Sequence, residues 1–320
     1  MDDTPLRRIG AGFCGTVWAA EERGSAFKRE DGGPHRSLLH DFQTHQHILH
    51  CMHQTDLTEA PETKQTQYNI NIPLCHGYID PLDAWWKNNL ARFPEGYEPC
   101  NTIHAQRIPP VPEATRRFLT EQYCPEPLRA NILASDANRD CMIRPYLGRR
   151  RVRASKPSRF QAFSLRNYPL HLDQMEEIGI PETDIAGYAR TMAKALAQLH
   201  WVAHVDGNDV EFVLASPNDQ PDENRSPESW SNALGLHEMW MLDFDLARPM
   251  TVDKQGARQA ANAFKGNDPY YPRPDKNSYL WIAFRGQYVA TSEMCLQKES
   301  QATKELPVYF VHLVEESSES

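Results

Sequence analysis

Residues 200–215 read HWVAHVDGNDVEFVLA. Within them His204, Val205 and Asp206 open a loop of turn-forming residues, Gly207, Asn208 and Asp209. The loop closes on Glu211, where the apolar run VEFVLA (210–215) predicts a strand. Upstream, PETDIAGYARTMAKALAQL (181–199) places Ile185, Tyr188, Met192, Leu196 and Leu199 at helical spacing, with Pro181 and acids at its start. The segment is therefore a helix, a carboxylate-bearing loop and a strand. Downstream, MWMLDFDLA (239–247) predicts a second strand that ends in Asp243-Phe244-Asp245. Asp206, Asp209, Glu211, Asp243 and Asp245 give a pocket floor of five carboxylates. Asp209 also has a plainer reading, as a cap on the turn.

The N-terminus supplies a cationic counterpart. RRIGAGFCGTVWAAEERGSAFKRE (7–30) sets Gly10, Gly12, Gly15 and Val17 in a G-x-G-x-x-G-x-V pattern, followed by a turn and a short strand carrying Lys28. A dinucleotide-binding fold would need a long helix directly after Gly15; Trp18 to Lys28 reads as strand, turn, strand. Glycine hairpin, lysine strand, H-x-D loop and D-F-x follow one another in the order found in protein kinases, which the chain resembles. The resemblance implies an α+β, protein-kinase-like bilobal fold. Its small β-rich lobe would span residues 1–107, ending at the extended RIPPVP (107–112), and its mostly helical lobe 108–314.

Three positions depart from that pattern. Glu211 stands where a kinase has a metal-binding Asn, Asp245 where it has Gly, and no A-P-E follows. In addition, the amphipathic stretch 35–53 (Leu38, Leu39, Phe42, Ile48, Leu49, Met52) lacks a Glu to pair with Lys28 and offers only Asp41. Its His47, His50 and Cys51 have ligand-like spacing, although surface histidines at such spacing are common and no fourth ligand is evident.

The 320 residues carry a net charge of −9, which argues against general nucleic-acid binding. One stretch runs the other way: from Arg144 to Arg166 there are eight Lys or Arg and no acid. Such a strip either holds a polyanion or is a solvated loop. The seven cysteines are scattered without a CxxC pair, so neither a zinc ribbon nor a disulfide framework is predicted. No apolar run approaches 18 residues and the N-terminus lacks a signal-peptide core, so a cytoplasmic protein with no membrane partner is expected. A polar insertion at 216–229 and a disordered tail from Glu315 complete the prediction.

IPLCHGYIDPLDAWWKNNLARFP, DCMIRPYLGRRR, FSLRNYPLHLDQM, DVEFVL and NDPYYPRP, spread over residues 73–273, together resemble a fungal family that is often labelled zinc-finger protein and that includes arginine-containing cyclodipeptide synthases. The resemblance implies use of arginyl-tRNA and a second aminoacyl-tRNA to make cyclo-arginine-Xaa diketopiperazines. No cofactor is required, because an aminoacyl-tRNA is already an activated ester. It brings no catalytic assignment with it. From the residues themselves, Asp206, Glu211 and Asp243 are the candidates for proton handling. Lys28, Asp209, Asp245 and the loop glycines Gly10, Gly12 and Gly15 are candidates for substrate binding, and Arg149, Arg150, Arg151, Arg153, Lys156 and Arg159 for tRNA phosphates. An unusual small-molecule or protein kinase and an inactive kinase-like scaffold remain alternatives.

Overall fold

The computed structural model describes residues 4–21, 24–32, 37–56, 70–151, 163–218, 227–267, 269–275 and 278–316. The class is α+β, with two five-stranded sheets. In the first, β1 (Arg7–Ala11), β2 (Thr16–Ala19), β3 (Ser25–Arg29), β4 (Cys75–Ile79) and β5 (Thr102–Gln106) are arranged β1-β2-β3-β5-β4, antiparallel throughout. Helix α1 (Leu38–Asp56) packs on β4 and β5. Leu38, Ile48, Leu49 and Met52 are buried as the periodicity predicts, whereas Leu39 points to solvent. On the other side of this sheet Trp18 and Phe27 pack with Trp86, from α2 (Trp85–Asn89), and with Phe93. Arg29 lies over Trp86, Phe93 and Tyr97, its guanidinium carbon 4.7–5.2 Å from the three ring centroids.

An extended stretch, 107–112, leads into α3 (Glu113–Tyr123) and α4 (Arg129–Ala134). The second sheet follows: β6 (Ile143–Tyr146), β7 (Tyr168–His171), β8 (Glu211–Ala215), β9 (Ser229–Asn232) and β10 (Gly235–Leu242), ordered β7-β6-β8-β10-β9, with only β6 and β7 parallel. Between β7 and β8 come α5 (Leu172–Glu177) and α6 (Glu182–Trp201). All five periodic residues of α6 are buried, and the helix packs against α8 (Ser278–Cys295). After β10 the chain forms α7 (Lys254–Gly266), then α8, α9 (Gln301–Lys304) and α10 (Leu306–Glu316). α10 covers α7 and α8.

Two expectations are corrected. The tail is helical through Glu316, and Glu315 accepts a hydrogen bond from Trp281 Nε1 at 2.8 Å. Strand β10 ends at Leu242, so Asp243, with φ +65°, lies past the strand. Most of the polar insertion, 219–226, lies outside the described residues. Among the described residues no helix is long and apolar enough to cross a membrane.

Two ties fix the sheets against each other. Arg7 of β1 and Arg107 both pair with the buried Asp140 just ahead of β6. Asn71 exchanges backbone hydrogen bonds of 3.0 and 2.8 Å with Met239 and Met241 of β10. The carboxylate loop and the glycine hairpin therefore meet across a fixed junction.

Candidate active site

The β1–β2 hairpin turns at Gly12-Phe13-Cys14-Gly15, closed by Gly12 N–H donating to Gly15 O at 2.8 Å. Gly15 has φ +147°, and a Cβ there would lie 1.9 Å from Arg29 O, so this position admits only glycine. At Gly10 a Cβ would meet Val17 at an ordinary 3.5 Å, and at Gly12 it would meet nothing within 4 Å. Phe13 stands out at the tip, 78% exposed. Cys14 turns inward and its thiol donates to Asp245 Oδ2 at 3.0 Å. Burial and this bond push the Cys14 thiol up to about 12. Asp245, expected on the substrate, is thus engaged by the hairpin.

Lys28 projects from β3 and holds two carboxylates: Asp41 Oδ2 at 2.6 Å and Asp243 Oδ1 at 2.8 Å. Burial alone would lower the lysine's pKa; the two carboxylates outweigh it and hold the ammonium charged well above its ordinary range. The other oxygen of Asp41 accepts from Phe244 N at 3.2 Å. Asp41 thereby supplies from α1 the acid that appeared to be missing.

The 204–211 loop departs furthest from expectation. His204, Gly207 and Asp209 have positive φ (53°, 66°, 59°), which gives a tightly wound turn. Inside it Asp206 is buried. Its Oδ1 accepts from Asn208 N at 3.1 Å and Arg248 N at 2.9 Å, and its Oδ2 from Gln259 Nε2 at 2.8 Å. Its own amide donates to Arg248 O at 2.9 Å. Asp206 fastens the loop to the segment entering α7; both carboxylate oxygens are committed, which does not suit a proton-handling role.

Glu211 begins β8, and Arg144 reaches it from β6, Nη2 to Oε2, at 2.5 Å. The guanidinium beside Glu211 is therefore the chain's own. Burial pushes the Glu211 carboxyl up to about 7; Arg144 and Lys28 draw it down, while Asp243 and Asp209 push it further up. These contacts and couplings gather Glu211, Arg144, Lys28, Asp243 and Asp209 between the two sheets, the region called the cleft, while Asp206 is tied to the segment entering α7. The phenol of Tyr270 faces the same group. It is buried, its pKa is held well above the ordinary value by burial and then by Glu211, and among the described residues its oxygen has no hydrogen-bond partner. Tyr146 packs edge-on against it, centroids 5.4 Å apart. Sequence reasoning missed Arg144 as a site residue because it is the first of a run of basic residues. It missed Tyr270 because nothing local distinguishes it from Tyr271.

Two arginines of the basic strip are answered from within the chain. Arg150 makes a two-pronged pair with Glu176 at 2.5 and 2.6 Å. Arg151 contacts Asp173 through Nε at 2.7 Å and also pairs with Glu177. Arg149 is exposed. Arg153, Lys156 and Arg159 lie outside the described residues. On α1, His47 Nε2 is 2.8 Å from Ala203 O and Cys51 lies 3.7 Å from the same nitrogen. Among the described residues no group of three or more His, Cys, Asp or Glu is placed to hold a metal ion.

A family model described as zinc finger protein matches residues 239–300. That segment holds Cys295 and no other cysteine or histidine, which is too few ligands for a zinc finger of its own. It does hold Asp243, Asp245, Gln259 and Tyr270, one side of the cleft described above. No curated protein and no solved structure matches the chain. What the comparisons supply is a similarity over the stretch from the end of β10 to just past α8, and the site residues within it.

Proposed function

We propose that the chain is an aminoacyl-tRNA-dependent cyclodipeptide synthase that joins arginine to a second amino acid, built on a protein-kinase-like bilobal frame. The frame reading is supported by the sheet order β1-β2-β3-β5-β4 with α1 packed on it, and by the Lys28–Asp41 pair with Asp243 beside it. The observation that carries the synthase reading is the exchange of duties between Asp206 and Glu211. In phosphoryl transfer an Asp at the position of Asp206 accepts the acceptor's proton; here Asp206 is fully hydrogen-bonded. Glu211, at the metal-ligand position, is instead a carboxylate that titrates near 7 in a half-buried cleft, a range suited to general base work on an amine.

Two aminolysis steps complete the reaction. In the first, the α-amine of one aminoacyl-tRNA attacks the ester carbonyl of the other; a C–N bond forms, the ester C–O bond breaks, and one tRNA leaves. In the second, the free amine of the dipeptidyl ester attacks its own carbonyl, closing the six-membered ring and releasing the second tRNA. Glu211 takes a proton from the amine in each step and returns it to the departing 3′ or 2′ oxygen of the ribose, so no external acid or base is consumed. Arg144, held at Glu211, is positioned to meet negative charge developing on the carbonyl oxygen. The arginyl side chain of the substrate is assigned to Asp209 and Asp243, the latter shared with Lys28.

The test is incubation of the purified protein with arginyl-tRNA and a panel of other aminoacyl-tRNAs, followed by mass spectrometry for arginine-containing diketopiperazines. Product formation that Glu211→Gln reduces at least a hundredfold supports the reading. The second reading, an atypical kinase, is favoured by the Lys28–Asp41–Asp243 arrangement. Mg²⁺-dependent ATP turnover that Asp243→Asn abolishes, with no diketopiperazine formed, would replace the first reading with the second.

A further inference from the structure

In a chain of net charge −9, the answered arginines beside α5 contrast with a second basic surface on α7. At 100° per residue, Lys254, Arg258 and Lys265 fall within about 40° of one another around the helix axis, along about 16 Å of its length. Lys254 and Arg258 are exposed, and Lys265 is half-buried. Among the described residues none of the three is within ion-pair distance of a carboxylate, and neither is Arg248, exposed just ahead of the helix. The nearest acid in sequence, Asp253, is occupied as the helix cap, accepting from Gln255 N at 2.8 Å and Gly256 N at 2.9 Å. An aromatic ring backs the cations: Lys254 Nζ and Arg258 Cζ each lie 5.5 Å from the centroid of Tyr309 on α10.

This surface adjoins the 204–211 loop. Gln259, next to Arg258, donates to Asp206, as does the amide of Arg248. A ligand lying along α7 is therefore about one helix diameter, roughly 10 Å, from the 204–211 loop.

We propose that this flank of α7, with Arg248 at its foot, is the surface that takes the phosphates of the tRNA acceptor arm; the proposal rests on the synthase reading. Unanswered cations in a row suit a row of phosphates, which along one duplex strand recur every ~3.4 Å of axis. Such contacts hold any tRNA irrespective of its amino acid, as an enzyme with two different aminoacyl-tRNA substrates requires.

The experiment uses full-length protein, fluorescently labelled deacylated tRNA and anisotropy titrations between 50 and 200 mM salt. The Lys254→Ala/Arg258→Ala variant is compared with Arg150→Ala/Arg151→Ala. The α7 variant is expected to lose about tenfold in affinity at the low-salt end, and its salt slope to fall by about 2, one for each lost phosphate contact. The α5-side variant keeps the wild-type slope. Equal melting temperatures for all three proteins exclude unfolding as the cause. Wild-type affinity and slope in the α7 variant would overturn the proposal. So would a loss of binding to polyglutamate with tRNA binding retained, which would make the surface one for an acidic protein. Diketopiperazine formation, measured in parallel, separates the two levels. Product from both wild type and the α7 variant at equal rates, with tRNA binding unchanged, removes only this surface assignment. No product and no tRNA binding by wild type removes the synthase reading, and this surface with it.

Discussion

The two sides of the site, one built on the first sheet and one on the second, hold their charged groups differently. On the first-sheet side, Gly15 makes a turn no other residue could make, and Lys28, expected on the substrate, pairs with Asp41 of α1 and with Asp243. On the second-sheet side, each carboxylate is matched by donors of the chain itself. Asp206 fastens the loop, Glu211 is matched by Arg144, and Asp245 is tied to Cys14. Spacing along the chain sets where a side chain stands. Which donors lie within 3 Å of it sets what it does.

The sharpest way to break this contrast is Asp206→Ala. If Asp206 is a fastener, the change strands three donors and is expected to cost about 5 kcal/mol or more in urea unfolding, since each bond to a charged group is worth ~1.5–3 kcal/mol. A loss under 1 kcal/mol would return Asp206 to the list of poised bases.

The next effect is a pH dependence. Glu211 titrates near 7 in the fold against an ordinary 4.5, so its neutral form is favoured. Its contribution to stability is fully present below about pH 4.5 and is lost as pH rises through 7. Wild type should therefore lose about 3 kcal/mol relative to Glu211→Gln between pH 4.5 and 8. The same titration predicts that diketopiperazine synthesis rises with pH through the neutral range. A stability difference that is flat with pH would show that Glu211 is solvated and unsuited to the base role.

Smaller effects are expected at two further positions. Arg150→Ala removes an exposed pair with Glu176 and should cost only ~0.2–1 kcal/mol. Tyr270→Phe should leave thermal stability unchanged or slightly raise it, because the buried hydroxyl has no partner among the described residues. A drop of several degrees would reveal a hydrogen bond that the phenol makes in solution.

The frame was legible where the signal was local. Helix α6 announced itself through five residues at one spacing, and the hairpin through glycines followed by a lysine strand. The site was legible only in part. Asp41 looked like a departure because a Glu was sought, yet a side chain one methylene shorter reaches Lys28 at 2.6 Å. The pairing of Arg144 with Glu211 joins residues 67 positions apart through the β6–β8 neighbourhood, which no local pattern encodes. The pairs of Arg150 and Arg151 were not legible because their acids, Asp173, Glu176 and Glu177, come more than 20 residues later. On α7 the cations are diluted among alanines, so their shared flank emerges only once the helix is wound.

The Cys14–Asp245 contact also has a kinetic consequence. Alkylating reagents attack the thiolate, and a thiol titrating near 12 in the closed hairpin supplies it at roughly one part in ten thousand at pH 8. Because Cys14 is also buried, its modification is expected to follow lifting of the β1–β2 hairpin, with a labelling rate equal to the opening equilibrium multiplied by the rate for an exposed cysteine. Peptide-resolved labelling would then time the breathing of the cleft mouth. Any molecule that lodges beneath the hairpin would slow that rate, and any that wedges it apart would quicken it, whether or not a reaction follows.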